Sequence, residues 1–156
     1  MIVAAELYDW LVLVHIVAAM VWVGGGAMLA VQSTRVLRER DPGAVARFVA
    51  TMGVVGPLVL APATVLVVGV GVWMVLDSSA WGFDQTWVQF ALGLFAGAFL
   101  IGVAFQSRAA LKADAAATAG DAREALRQLT RWSWGYRAIL LLLLVATWDM
   151  VMKPGL

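Results

Sequence analysis

The chain has no cysteine. That excludes a disulfide framework, thiolate metal sites and cysteine chemistry, and it leaves the redox compartment open. Charge is also scarce. Of 156 residues, 13% are charged and 63% are apolar. A soluble domain is usually about a quarter charged and about half apolar. This chain cannot cover its surface with polar groups, so lipid is its expected solvent. Its net charge is +1, and no basic patch is interleaved with aromatics, so nucleic acid is not an expected partner. No Lys or Arg precedes Arg35. A secretory signal needs a basic start, so the first apolar run is expected to be a retained span. Histidine is limited to one, His15.

What the chain does have is long uncharged runs. Residues 10–31, 48–76 and 85–107 carry no charge. A fourth candidate, 134–152, has an uncharged core at 138–148 between Arg137 and Asp149. Roughly twenty apolar residues cross the hydrocarbon as a helix, and helices satisfy their own backbone in lipid. The expected fold is an all-α integral membrane protein, a four-helix transmembrane up-down bundle. Residues 1–156 form one domain, with spans at about 10–31, 54–76, 86–107 and 134–152.

The linkers orient it. Linker 32–52 carries Arg35, Arg38, Arg40 and Arg47, and linker 107–133 carries Arg108, Lys112, Arg123, Arg127 and Arg131. The short linker 77–85 has only Asp77 and Asp84. Positive loops stay cytoplasmic. Both termini are therefore expected outside a bacterial cytoplasmic (inner) membrane. Asp41-Pro42 reads as an N-cap with proline at the first helical position, so helix 2 is expected to start near 42. Pro57 and Pro62 should bend it. Gly120 can end an extension of helix 3, and "DARE" at 121–124 reads as a variant capping box. "QSTRVL" at 32–37 and "QSRAAL" at 106–111 hint at a repeat of two hairpins, which sets His15 against Gln89.

Candidate site residues follow from cost. An ionisable group within a span suggests function by default. His15 lies roughly 9 Å deep at 1.5 Å per residue, in the same leaflet as Asp149, Met74, Met150, Met152 and Gln89. Lys153 follows Asp149 at i+4, so the two are expected to pair. His15, Ala19, Trp22 and Gly26 share one helix face, where small residues beside an aromatic leave room for a flat cofactor or for a neighbouring helix. Gly93 and Gly97 form a GxxxG step suited to helix packing.

Three readings stay open for His15. It hydrogen-bonds Asp149 or a backbone carbonyl and fixes helix order. It is an axial ligand to haem b, alone or as a bis-His pair across a homodimer, with Met150 or Met152 as an alternative second ligand. The haem site would then draw on His15, Trp22, Gly26 and Gln89. Or it holds Cu(I) together with Met74, Met150 or Met152, since soft donors favour that ion. No zinc motif, phosphate loop or nucleophile elbow is present, and "GVG" at 69–71 lacks a nucleotide-binding context. Whether the protein is an enzyme stays open. A non-catalytic accessory subunit of a larger membrane complex is a further alternative.

The stretch "VHIVAAMVWVGG", which holds His15 and ends at Gly25, resembles the first helix of the copper-resistance D-like membrane proteins and of the HemJ-type protoporphyrinogen oxidases. The ending "WDMVMKPGL" resembles a group of bacterial four-helix proteins of unknown function. The resemblance implies a small four-helix membrane protein. Its HemJ-type side implies haem b, a first-helix His matched by His15, and a late Lys matched by Lys153. On its other side the chain would be only the core of the usually larger copper-resistance D proteins; the copper reading of His15 and the methionines, binding or uptake in the outer leaflet, stays the alternative.

Overall fold

The computed structural model describes residues 2–155, with side chains from Leu7 onward except that of Pro42. The fold is the expected all-α four-helix bundle. Its four rods are α1 (Ile2–Glu39); α2 (Pro42–Val55) continued through a π turn (Gly56–Leu60) into α3 (Ala61–Asp77); α4 (Thr86–Leu100) continued through a second π turn (Ile101–Gln106) into α5 (Ser107–Thr118); and α6 (Ala122–Met152). All four contain windows long and apolar enough to cross a membrane. Large apolar side chains such as Leu58, Val65, Leu111 and Leu141 face outward. That pattern suits lipid as the solvent.

The rods outrun the expected spans. They are about 45–57 Å long at 1.5 Å per residue, against a hydrocarbon core of about 30 Å. The two basic linkers are consequently helix for most of their length. Only the turns at Arg40–Asp41 and Ala119–Asp121 interrupt them. Arg40 takes a left-handed φ of 54°, and the Asp41 carboxylate accepts from the amides of Gly43 at 3.1 Å and Ala44 at 2.9 Å. Asp121 caps α6 by accepting from the amide of Glu124 at 3.0 Å. The return half of that capping box is not made. Glu124 turns outward to Arg127 and Gln128, and the Asp121 amide donates to the Ala116 carbonyl instead.

At Pro57 and Pro62, where a bend is expected, the structure shows a π turn. Each proline lacks an amide donor. Widening the turn by one residue lets the next amide find a partner, and Ala61 donates to Gly56 five residues back. A second widening, at 101–106, falls inside the span expected as regular at 86–107. It contains no proline. Ser107 reaches back to the Gly102 carbonyl with both its amide and its hydroxyl.

The bundle has two unlike ends. At the basic end, with the turns at 40–41 and 119–121, α2 and α5 meet and all four rods close. Alanines at 109, 113 and 116 put small residues on one face of α5, and these are buried with Val45, Phe48 and Leu129. At the terminal end, with the chain ends and the 78–85 loop, α1 packs on α3 and α6, and α6 packs on α4. There the ring stays open. Among the described residues no Cα of α3 lies within 8 Å of a Cα of α4. Both π turns sit on the two rods that border this opening, roughly 20–30 Å from the 78–85 loop.

Candidate functional site

The gap between α3 and α4 leads into a cavity of about 780 Å³ in the terminal half of the bundle. Its walls are mostly apolar and come from α1 (including His15, Ala19 and Gly24), α3 (Val67, Gly71, Met74), α4 (Val88, Ala91, Phe95) and α6 (Thr147, Met150). A hydrophobic layer of Trp22, Ala98, Ile139 and Leu143 is buried on its basic side.

His15 stands on the α1 wall. Its ring lies against the backbone of α3 at Gly71. A Cβ added there would sit 3.1 Å from Cε1 and 3.4 Å from Nδ1. Gly71 thus admits the imidazole where a larger residue would push it away. The Val67 backbone lies close by, yet Nδ1 is buried without a hydrogen-bond partner.

Aromatic side chains cap the terminal end. Trp81 donates from Nε1 to the Tyr8 hydroxyl at 3.2 Å, tying the 78–85 loop to α1. Trp81 and Trp87 meet edge to face at 5.3 Å, and Trp87 donates to Gln85 at 3.0 Å. The Lys153 ammonium lies 4.5 Å from the centre of the Trp81 ring and 5.7 Å from that of Trp87. Tyr8, Trp81, Trp87 and Lys153 all line the cavity.

A sequence profile described as "Predicted integral membrane protein (DUF2269)" matches residues 9–154. The chain belongs to the DUF2269 family. No curated protein and no solved structure matches it.

In this DUF2269 protein the expected site residues separate. His15, Met74 and Met150 line one cavity, as does Lys153. Met152 does not. It is 62% exposed on the outside of α6, because it falls off the face that carries Met150. Gln89 also faces outward, and its amide braces the loop by donating to the Phe83 carbonyl at 3.0 Å. Trp22 is buried in the layer beneath, edge to face with Phe95 at 5.7 Å. Gly26 lies lower still, and a Cβ there would collide with the Tyr136 ring and hydroxyl. Its small size serves helix packing within the chain. The GxxxG step splits as well. A Cβ on Gly97 would touch Leu142 at 3.6 Å, whereas Gly93 has open space around it.

The Asp149–Lys153 ion pair is not formed. Lys153 ends α6 with a left-handed φ of 43°, so the helical i+4 geometry is lost and the side chain swings to the tryptophans. Asp149 is left fully buried, with neither carboxylate oxygen hydrogen-bonded. No His15–Asp149 hydrogen bond is made either. Among the described residues, no three His, Cys, Asp or Glu side chains group as a metal site.

Two contributors were missed in the sequence. Gly71 belongs to the "GVG" run, and its role needs the α1–α3 contact to be known. The tryptophan cage around Lys153 needs the break at the end of α6.

Proposed function

We propose that this protein binds haem b in the cavity through His15 and serves a redox or electron-transfer role. The observation that carries the reading is an imidazole on the wall of an apolar cavity of about 780 Å³, within the size range of small-molecule and cofactor sites. The donor set would suit haem better than a closed metal centre, because a single imidazole, His15, would be enough to hold it. With Nδ1 turned to the α3 backbone, Nε2 is the nitrogen left for iron. A ligating histidine commonly steadies its other nitrogen on a carbonyl or carboxylate, and the Val67 carbonyl is the acceptor at hand. Ala19, Gly24 and Gly71 keep the walls low enough for a flat ring. Bound haem supplies one-electron chemistry at its iron. The chain's part is to orient the ring and exclude water. The charge pattern supports a bacterial cytoplasmic membrane with both termini outside.

The test is spectroscopic. The protein, purified from cells supplied with haem, is expected to show a Soret band that His15→Ala abolishes while helicity is kept. A colourless wild-type protein would sink the reading.

One observation favours a second reading. Met74 and Met150 share the cavity with His15, and thioether with imidazole suits Cu(I). Copper should then co-purify, and Met74→Leu with Met150→Leu should lower its occupancy at unchanged fold. Met152→Leu should do nothing, given its outward position.

A further inference from the structure

Lys153 stands at an unusual place for an ammonium. It is partly buried at the terminal end of the cavity, and the contacts it makes are with the faces of Trp81 and Trp87. Among the described residues no carboxylate lies within 4.0 Å of its Nζ. Asp149, four residues back, is buried and makes no side-chain hydrogen bond. Among the described residues no acidic side chain lines the cavity. The described residues thus form a mostly apolar chamber with the Lys153 ammonium at its rim. A cation held on ring faces is still short of acceptors, because the rings supply attraction but no lone pairs in the plane of a hydrogen bond. The chamber also opens sideways between α3 and α4, the direction from which a lipid-dissolved molecule arrives.

We infer that the cavity's ligand is an amphiphile whose anionic group is held by Lys153 at the rim while its apolar body fills the chamber. The tryptophan cage is the mechanism. It holds the ammonium at the rim of the chamber, and a carboxylate or phosphate supplies the acceptors that the cage lacks. The inference rests on the cavity being the ligand site proposed above, and not on the ligand being haem. Haem b, with its carboxylates, is one member of the class. A lipid-derived acid is another.

The experiment uses two matched pairs of probes on the full chain in detergent micelles. The first pair is dibromostearic acid and the corresponding dibromo alcohol, read by quenching of tryptophan fluorescence, with Trp81→Phe to assign the signal. The second pair is haem b and its dimethyl ester, read at the Soret band. The acid is expected to bind about tenfold or more tightly than the alcohol, the loss expected for one charge-assisted contact. Lys153→Asn should erase that preference and leave alcohol binding unchanged. Asn tolerates the left-handed backbone, so the fold should survive. Lys153→Arg should restore the preference, which a merely structural role would not do. Equal binding of acid and alcohol, or a preference that survives Lys153→Asn, overturns the inference. So does failure of every acidic probe to bind. A missing Soret band with selective acid binding removes haem and leaves the anionic amphiphile standing. A Soret band of equal strength from haem b and its ester keeps haem and removes the role of Lys153.

Discussion

A methyl group added at Gly26 and one added at Gly69 meet opposite surroundings. The first runs into Tyr136, and the second meets nothing within 4 Å. Overpacking a filled interior costs about 1–3 kcal/mol, whereas removing backbone freedom at an exposed helical glycine gains about 0.5–1 kcal/mol. Gly26→Ala is expected to lower the thermal midpoint and Gly69→Ala to hold or raise it, as read by circular dichroism in detergent. Gly71→Leu should leave the fold standing but displace the His15 ring, so loss of ligand binding without loss of helicity is its expected signature. Asp149 offers a different test. A buried polar group left unsatisfied costs about 1–3 kcal/mol, so Asp149→Leu should raise the midpoint. A fall instead would show that an unseen partner satisfies the carboxylate. At this scale the sequence was partly legible. His15 could be found because an imidazole within a span is expensive. The true surroundings of Lys153 could not, because they depend on a helix ending at Met152 and reversing its backbone there.

At the scale of elements, starts were more legible than interiors. Asp41 and Asp121 announce α2 and α6 through side chains that reach the next free amides, and that chemistry is local. The π turn at 56–60 was foreshadowed by two prolines. The one at 101–106 was not, because no residue there lacks a donor. What stands beside it is a contact distant in sequence, where Gly135 of α6 faces Phe105 and Gln106. Pro57→Ala with Pro62→Ala restores the missing amides and should let the second rod straighten. Spin labels on cysteines placed at Val72 and Leu92, which border the gap, are then expected to report a shorter distance than in the parent. An unchanged distance would mean that the prolines do not set the splay.

For the whole molecule, four spans and their up-down order were readable from hydropathy alone. The asymmetry of the bundle was not. It arises from which small faces meet, the alanines of α5 at one end and the absence of any α3–α4 approach at the other. Those pairings join residues far apart in sequence. Topology has a direct check, helped by the lack of native cysteine. A cysteine at Ser79 should react with a membrane-impermeant maleimide added to intact cells, and one at Ala119 should not. The opposite pattern would invert the orientation drawn from the arginines.

α1 and α6 run unbroken along the full height of the protein, whereas each of the other two rods carries one wide turn partway along. Two continuous helices thus stand beside two that are interrupted. Were the gap between α3 and α4 to change width, those two turns, where the regular helical ladder is already interrupted, would yield before the alanine-packed base.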